Sequence, residues 1–143
     1  MGMDKSIYVN NTDIYKTEET MAGHHAPADL LALATEWIAA WNSRDLERVL
    51  GLYTDDSEMS SEKISALGFD AGGTLRGKDK VRAYWAKALT FRPKLHFTLI
   101  ETFASPDSIA VLYHDELGKQ VCEYLRLDDA GKIRQASGNY PVR

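Results

Sequence analysis

Apolar positions change their period once along this chain, and the change divides it into a helical half and a strand half. Leu30, Leu33, Ala34, Trp37, Ile38 and Trp41 recur at three- and four-residue steps, which predicts a helix with a broad apolar stripe. Pro27 suits the first helical position and Asp29 the positive helix end. Asn42-Ser43-Arg44-Asp45 breaks the pattern, and Asp45 can cap a second helix with the stripe Leu46, Val49, Leu50 and Tyr53. Thr54-Asp55-Asp56 ends the pair. Glu58-Met59-Ser60-Ser61 can form a short strand, and Asp70-Ala71-Gly72-Gly73 reads as a turn. Gly77-Lys78-Asp79 then leads into a third helix, with Val81, Tyr84, Trp85, Ala88 and Leu89 on one side and Pro93 closing it.

Beyond Pro93 the period is two. Leu95, Phe97, Leu99 and Phe103 alternate with His96, Thr98, Ile100 and Thr102, and Ser105-Pro106-Asp107 is a turn. Residues 109–116 form the next strand, and Leu117-Gly118 is a hairpin signal. Residues 119–127 and 133–140 follow as strands, separated by the turn Asp128-Asp129-Ala130-Gly131. Helices first and an antiparallel meander after them predict an α+β layer fold in one domain, residues 26–143. Residues 1–25 show no sustained period and read as a flexible arm. His24 and His25 are adjacent, so on regular structure their side chains point apart, and a solvated linker is preferred to a metal pair.

Composition narrows the function classes. The chain has 143 residues, 44% of them hydrophobic and 27% charged, which fits one domain with a real core. A net charge of −4, with no clustering of Lys and Arg, argues against nucleic acid as a partner. No apolar run approaches membrane-spanning length. Cys122 is the single cysteine, so no internal disulfide forms, and a reducing, cytoplasmic setting is expected.

The candidate chemistry sits on the strand around position 123. Val121, Glu123, Leu125 and Leu127 share one face, apolar except for the glutamate, while Cys122 and Tyr124 face the other way. Taking Leu117-Gly118 as a two-residue turn pairs His114 with Val121 and Leu112 with Glu123. His114 and Glu123 then become diagonal neighbours on one face. A similar count across Ser105-Pro106 sets Phe97 opposite His114 and Leu99 opposite Leu112. The shared face is then Leu95, Phe97, Leu99, Glu101, Phe103, Ala110, Leu112, His114, Val121, Glu123, Leu125 and Leu127. An apolar face with a central His/Glu pair is what a greasy pocket with few polar groups requires.

The order of motifs resembles the nuclear transport factor 2-like superfamily. The residues that carry the resemblance are Trp37-Ile38-Ala39-Ala40-Trp41-Asn42-Ser43-Arg44-Asp45-Leu46, Leu52-Tyr53-Thr54-Asp55-Asp56, Leu75-Arg76-Gly77-Lys78-Asp79-Lys80-Val81-Arg82-Ala83-Tyr84-Trp85 and Asp129-Ala130-Gly131-Lys132-Ile133. The chain looks most like the SnoaL-like and ketosteroid isomerase-like branch. The resemblance implies a cone-shaped, cystatin-like fold in which three N-terminal helices close a pocket against a strongly curved antiparallel sheet, usually as a homodimer. In the ketosteroid isomerase-like pattern Glu123 falls on a protonated acid that donates to an oxyanion. The tyrosine donor falls on Trp37 and the base on Ser61, with Glu62 beside it, so classical steroid isomerisation is not expected.

The expected pocket therefore has Glu123 and His114 as catalytic candidates. Trp37, Trp41, Ser61, Tyr84, Phe97, Leu99, Leu112, Val121, Leu125, Ala136 and Tyr140 are its expected lining. Its ligand would be a small apolar molecule, and its chemistry a cofactor-free proton transfer or cyclisation on a carbonyl compound. The alternatives are a ligand carrier or a dimeric interaction module. In those, Glu123 is a buried acid accepting from Trp37, Trp85 or His114, and His114 is structural. No metal is implied, because helix-end aspartates such as Asp55 and Asp56 usually bond local backbone. Ile100, Ile109, Val111, Tyr113, Cys122 and Tyr124 would form an apolar outer face, and a homodimer is expected to cover it.

Overall fold

The structure, a computed structural model, describes residues 23–142. Its helices are α1 (Pro27–Ser43), α2 (Leu46–Leu50), α3 (Glu62–Ala66) and α4 (Lys78–Phe91). Its strands are β1 (Tyr53–Ser60), β2 (Thr74–Arg76), β3 (Thr98–Ser105), β4 (Ser108–His114), β5 (Gln120–Leu127) and β6 (Ile133–Asn139). They form one sheet in the order β2-β1-β6-β5-β4-β3. The α+β class and the helix-then-meander order stand. The sheet is mixed, because β1 runs parallel to β6 while the other neighbours are antiparallel.

The expected helix stripe is buried except for Leu33, which is half-buried against the core. Leu30, Ala34, Trp37, Ile38 and Trp41 on α1 all lie in the core. Arg44 ends α1 in the left-handed conformation and gives its N–H to the Trp41 carbonyl. Asp45 caps α2, its side chain accepting from the Arg48 N–H. Tyr53 does not extend that helix. Gly51 closes α2, its N–H bonding the Glu47 carbonyl, and the chain leaves Tyr53 at the head of β1. The spacing from Leu46 to Tyr53 fits a helix equally well, so the stripe alone could not show the stop. The stretch after β1 also holds a short helix, α3, capped by Ser61.

Leu95 and Phe97 precede β3 rather than belonging to it, yet both are buried. Asn42 holds this connector as a strand would, donating to the Phe97 carbonyl at 2.9 Å and accepting from its N–H at 2.7 Å. The Arg44 guanidinium donates to the carbonyls of Leu89 and Arg92 and so finishes α4. One helix corner thus fixes both the connector and the end of α4. Helix α1 lies across β3 and β4, and α4 lies across β1 and β2. The space between these two helices and the sheet becomes the cavity.

The β4–β5 register differs from the two-residue-turn expectation by one residue. Val111 pairs with Glu123, Tyr113 with Val121 and His114 with Gln120. Asp115 explains the slip. Its backbone N–H bonds the Lys119 carbonyl, and its carboxylate accepts the N–H groups of Leu117 and Lys119 at 2.9 Å each. The loop therefore has three residues, Glu116-Leu117-Gly118, with Gly118 left-handed at φ 78°. A one-residue slip turns every side chain of the strand over. Ile109, Val111 and Tyr113 point inward and are buried, while Ala110, Leu112 and His114 share the outer face with Cys122 and Tyr124. In β3 a bulge between Leu99 and Glu101 shifts the pairing further, setting Thr98 opposite His114 and Leu99 opposite Tyr113. Glu101 and Phe103 pair with the outward Leu112 and Ala110.

Of the expected 1–25 arm, residues 1–22 lie outside the described residues. His25 is not a solvated linker residue. Its N–H bonds the Pro106 carbonyl and its ring Nε2 lies 2.9 Å from the Asp128 carbonyl.

Candidate functional site

A cavity of about 90 Å³ lies between α1, α4 and the inner face of β1, β4 and β5, enough for several water molecules. Its deep wall is aromatic. Trp37 stacks on Phe97 with centroids 5.9 Å apart, Phe97 lies 4.4 Å from Tyr113, and Trp41 meets Trp85 edge-on at 5.0 Å. These contacts fix ring positions beyond what area burial alone would do.

Glu123 stands on this wall and is 5% exposed. Burial raises its pKa to about 8, opposed by a hydrogen bond from the Tyr113 phenol and by the nearby Lys63 charge. Near neutral pH the group is therefore mostly a carboxylic acid, able to donate as well as accept. Gly138 faces it on β6, being paired with Glu123. A methyl group placed on Gly138 would lie 3.4 Å from the Tyr140 hydroxyl, 3.5 Å from Glu123 Oε1 and 3.7 Å from Ser61 Oγ. Three polar groups from three segments thus converge above a residue without a side chain.

Ser61 Oγ is the hub of a second set. It accepts the Lys63 backbone N–H as the α3 cap and hydrogen-bonds the hydroxyls of Tyr84 and Tyr140. Burial raises the pKa of Tyr84, and that of Tyr140 to about 12. It also raises Tyr53 and Tyr113 strongly, with the Glu123 charge as a further cause. All four phenols hold their protons at neutral pH. Trp37 donates its indole N–H to the Tyr53 hydroxyl at 2.9 Å. The Trp41 indole N–H is buried with no hydrogen-bond partner among the described residues.

The partly exposed lining residues Lys63, Ala88, Leu89, Arg92 and Tyr140 mark the mouth. Arg92 donates to both oxygens of Glu116, at 2.7 and 2.8 Å, and reaches Asp115 at 3.4 Å. That pairing holds the Glu116 carboxyl down at about 2. Lys63 sits with its ammonium 4.6 Å from the centre of the Tyr140 ring.

Of the residues read from sequence, Glu123, Trp37, Trp41, Ser61, Tyr84, Phe97, Val121 and Tyr140 meet in this cavity. Leu125 and Ala136 belong to the inner core beyond its wall. His114 and Leu112 do not join them. The three-residue loop puts both on the outer face, where the His114 ring Nδ1 lies 3.5 Å from the Asp115 carbonyl. Leu99 is 36% exposed beside the bulge. Tyr113, not Trp37, Trp85 or His114, meets the acid. Tyr113, Lys63, Arg92 and Asp115 were missed. Asp115 followed three residues later by Gly118 is the signal that would have exposed Tyr113. The position of Lys63 and Arg92 at a cavity mouth leaves no periodic trace.

The site offers an acid and phenols aimed into an apolar space, suited to donating to a carbonyl or hydroxyl oxygen and to developing negative charge on it. Asp55 and Asp56 are exposed, and no group of metal-binding side chains occurs among the described residues. No helix among them is long and apolar enough to cross a membrane.

Comparison with curated proteins gives no match. A SnoaL-like protein of unknown function from Burkholderia thailandensis is 36% identical, with a TM-score of 0.78 over 83% of this chain and 99% of that one. A computationally designed 17-OHP binder is 26% identical, with a TM-score of 0.61 over 80% of this chain and 92% of that one. An NTF2-like protein of unknown function from Burkholderia pseudomallei, at 21% identity, shares the fold with a TM-score of 0.65, over 79% of this chain and 91% of that one. The family model for the SnoaL-like domain matches residues 34–136, and with these likenesses the chain belongs to the SnoaL-like family.

Proposed function

We propose that this protein binds a small, largely apolar carbonyl compound in the cavity, with Glu123 as the acid that polarises the carbonyl oxygen. The observation that carries the reading is a buried, mostly protonated carboxyl beside a phenol on an aromatic wall. The similarity to a designed 17-OHP binder supports a ligand role for this arrangement. The chemistry that follows is proton transfer: Glu123 gives its proton to the carbonyl oxygen while a water molecule takes one from the neighbouring carbon, and the enol then regains a proton at carbon from that water as its O–H proton returns to Glu123. Tyr113 stabilises the carboxylate left behind. His114 has no part in this, because it faces the other side of the sheet.

The test uses the fluorescence of Trp37, Trp41 and Trp85 during titration with 2-tetralone, followed by exchange of its acidic C–H protons in deuterium oxide. Saturable quenching, with exchange that Glu123→Leu abolishes, is the expected result. Saturable quenching with no enzyme-dependent exchange would make the protein a carrier. No quenching by this or related cyclic ketones would overturn the reading.

A second reading concerns the outer sheet face. Phe103 is 57% exposed and Ile100 47%, close to the partly covered Leu112 and Tyr124. Ile109, Val111 and Tyr113, expected on this face, are inner core instead. The corrected face supports self-association, and a monomer by sedimentation at micromolar concentration would contradict it.

A further inference from the structure

The cavity has an unequal distribution of charge along its depth. Its floor and wall carry aromatic rings, phenols and the Glu123 carboxyl, while its mouth carries two cations, Lys63 and Arg92. The two cations differ in their partners. Arg92 is neutralised by Glu116 at 2.7 Å and by Asp115 at 3.4 Å. Asp115 is itself committed to two backbone N–H groups.

Lys63 enters none of the ion pairs among the described residues. The charges around it are Arg92, Asp115, Lys119, its neighbour Glu62 and the deeper Glu123. Burial comes first and Arg92 second in lowering its pKa. The ammonium instead lies over the Tyr140 ring. A half-buried ammonium that makes no direct ion pair is a costly arrangement that a bound anion would relieve.

We infer that the ligand carries an anionic group, a carboxylate by preference, which Lys63 receives at the mouth while an apolar body and a carbonyl oxygen reach inward toward Glu123. The inference rests on the cavity reading above and deepens it by naming the preferred ligand class: apolar or aromatic oxo acids, bound more tightly than neutral ketones of the same shape. The arrangement is self-consistent, because an anion at the mouth favours the protonated form of Glu123 and leaves the acid able to donate. It also explains why the wall offers neutral donors in depth while Lys63, which makes no ion pair among the described residues, stands at the entrance.

The experiment compares 4-acetylbenzoate with 4-acetylbenzamide, two probes of nearly equal shape that differ in charge. Binding to the full chain is followed by tryptophan fluorescence and calorimetry at low and high salt. The expected result is at least tenfold tighter binding of the acid, with a preference that shrinks as salt screens the exposed mouth. Lys63→Met keeps the aliphatic stem and should bring the acid down to the level of the amide. Lys63→Arg should retain most of the preference, and circular dichroism of both variants checks that they fold. Equal binding of acid and amide to the natural chain overturns the inference and leaves the cavity reading intact. A preference that survives in Lys63→Met overturns it as well. Failure of both probes to bind contradicts the cavity reading and the inference together.

Discussion

Two carboxylates of the same hairpin, Glu123 in mid-strand and Glu116 at the loop, have opposite environments. Glu123 lies on an aromatic wall with a phenol as its hydrogen-bond partner, and burial lifts its pKa to about 8. Glu116 lies at the loop with two guanidinium N–H groups on its oxygens, and Arg92 holds it down at about 2. Asp115 sharpens the contrast. At 6% exposed it is as covered as Glu123, but it receives two backbone N–H groups and part of Arg92. Burial alone therefore does not make a reactive acid. What distinguishes Glu123 is burial without a paired cation, a pattern found at functional sites more often than in structural networks.

The largest way to break the comparison is to remove the structural acid. Asp115→Ala leaves two loop N–H groups without their acceptor and Arg92 with one partner fewer. It is expected to cost about 2–4 kcal/mol in a urea unfolding experiment. The hairpin register should loosen with it, so Tyr113 and Glu123 should lose their fixed relation.

Glu123→Gln acts with a sign that depends on pH. The folded-state pKa lies above the unfolded value, so the folded chain binds the extra proton between about pH 4.5 and 8. Stability linked to this group is fully present below pH 4.5 and is lost as pH rises through about 8. Glutamine, which never ionises, should therefore be close to neutral at pH 5. At pH 9 it should be stabilising by on the order of 4 kcal/mol. Unfolding curves at the two pH values check both halves of this expectation.

Tyr113→Phe sharpens the comparison more gently. It removes a donor that favours the ionised acid, so the Glu123 pKa should rise further. The change should cost about 1 kcal/mol of stability at pH 9. The smallest effect belongs to His114→Ala, which should leave the Glu123 titration and the binding of 2-tetralone unchanged within error. A clear shift in either would return His114 to the site.

Much of this contrast was written in the sequence, but not all of it in readable form. The α1 stripe, the three tryptophans and the lone glutamate in an apolar row follow from side-chain period alone, and all sit where that period puts them. The partner of Glu123 depended on a single loop residue. With a two-residue turn the inward side chains of β4 are Leu112 and His114. With the three-residue loop that Asp115 holds, they are Val111 and Tyr113. Tyr53 was misread for a related reason, because its spacing from Leu46, Val49 and Leu50 fits a helix and only Gly51 marks the exit. Lys63 and Arg92 carry no such pattern. Their importance comes from where α3 begins and α4 ends relative to a cavity mouth, which is tertiary information.

The most direct measurement is the titration of Glu123 by carboxyl-carbon NMR, with the signal assigned by its loss in Glu123→Gln. A midpoint near 8 is the expected result and places a protonated acid in the cavity at neutral pH. A midpoint near 4.5 would mean a solvated carboxylate and would contradict the assignment of Glu123 as the acid of the site.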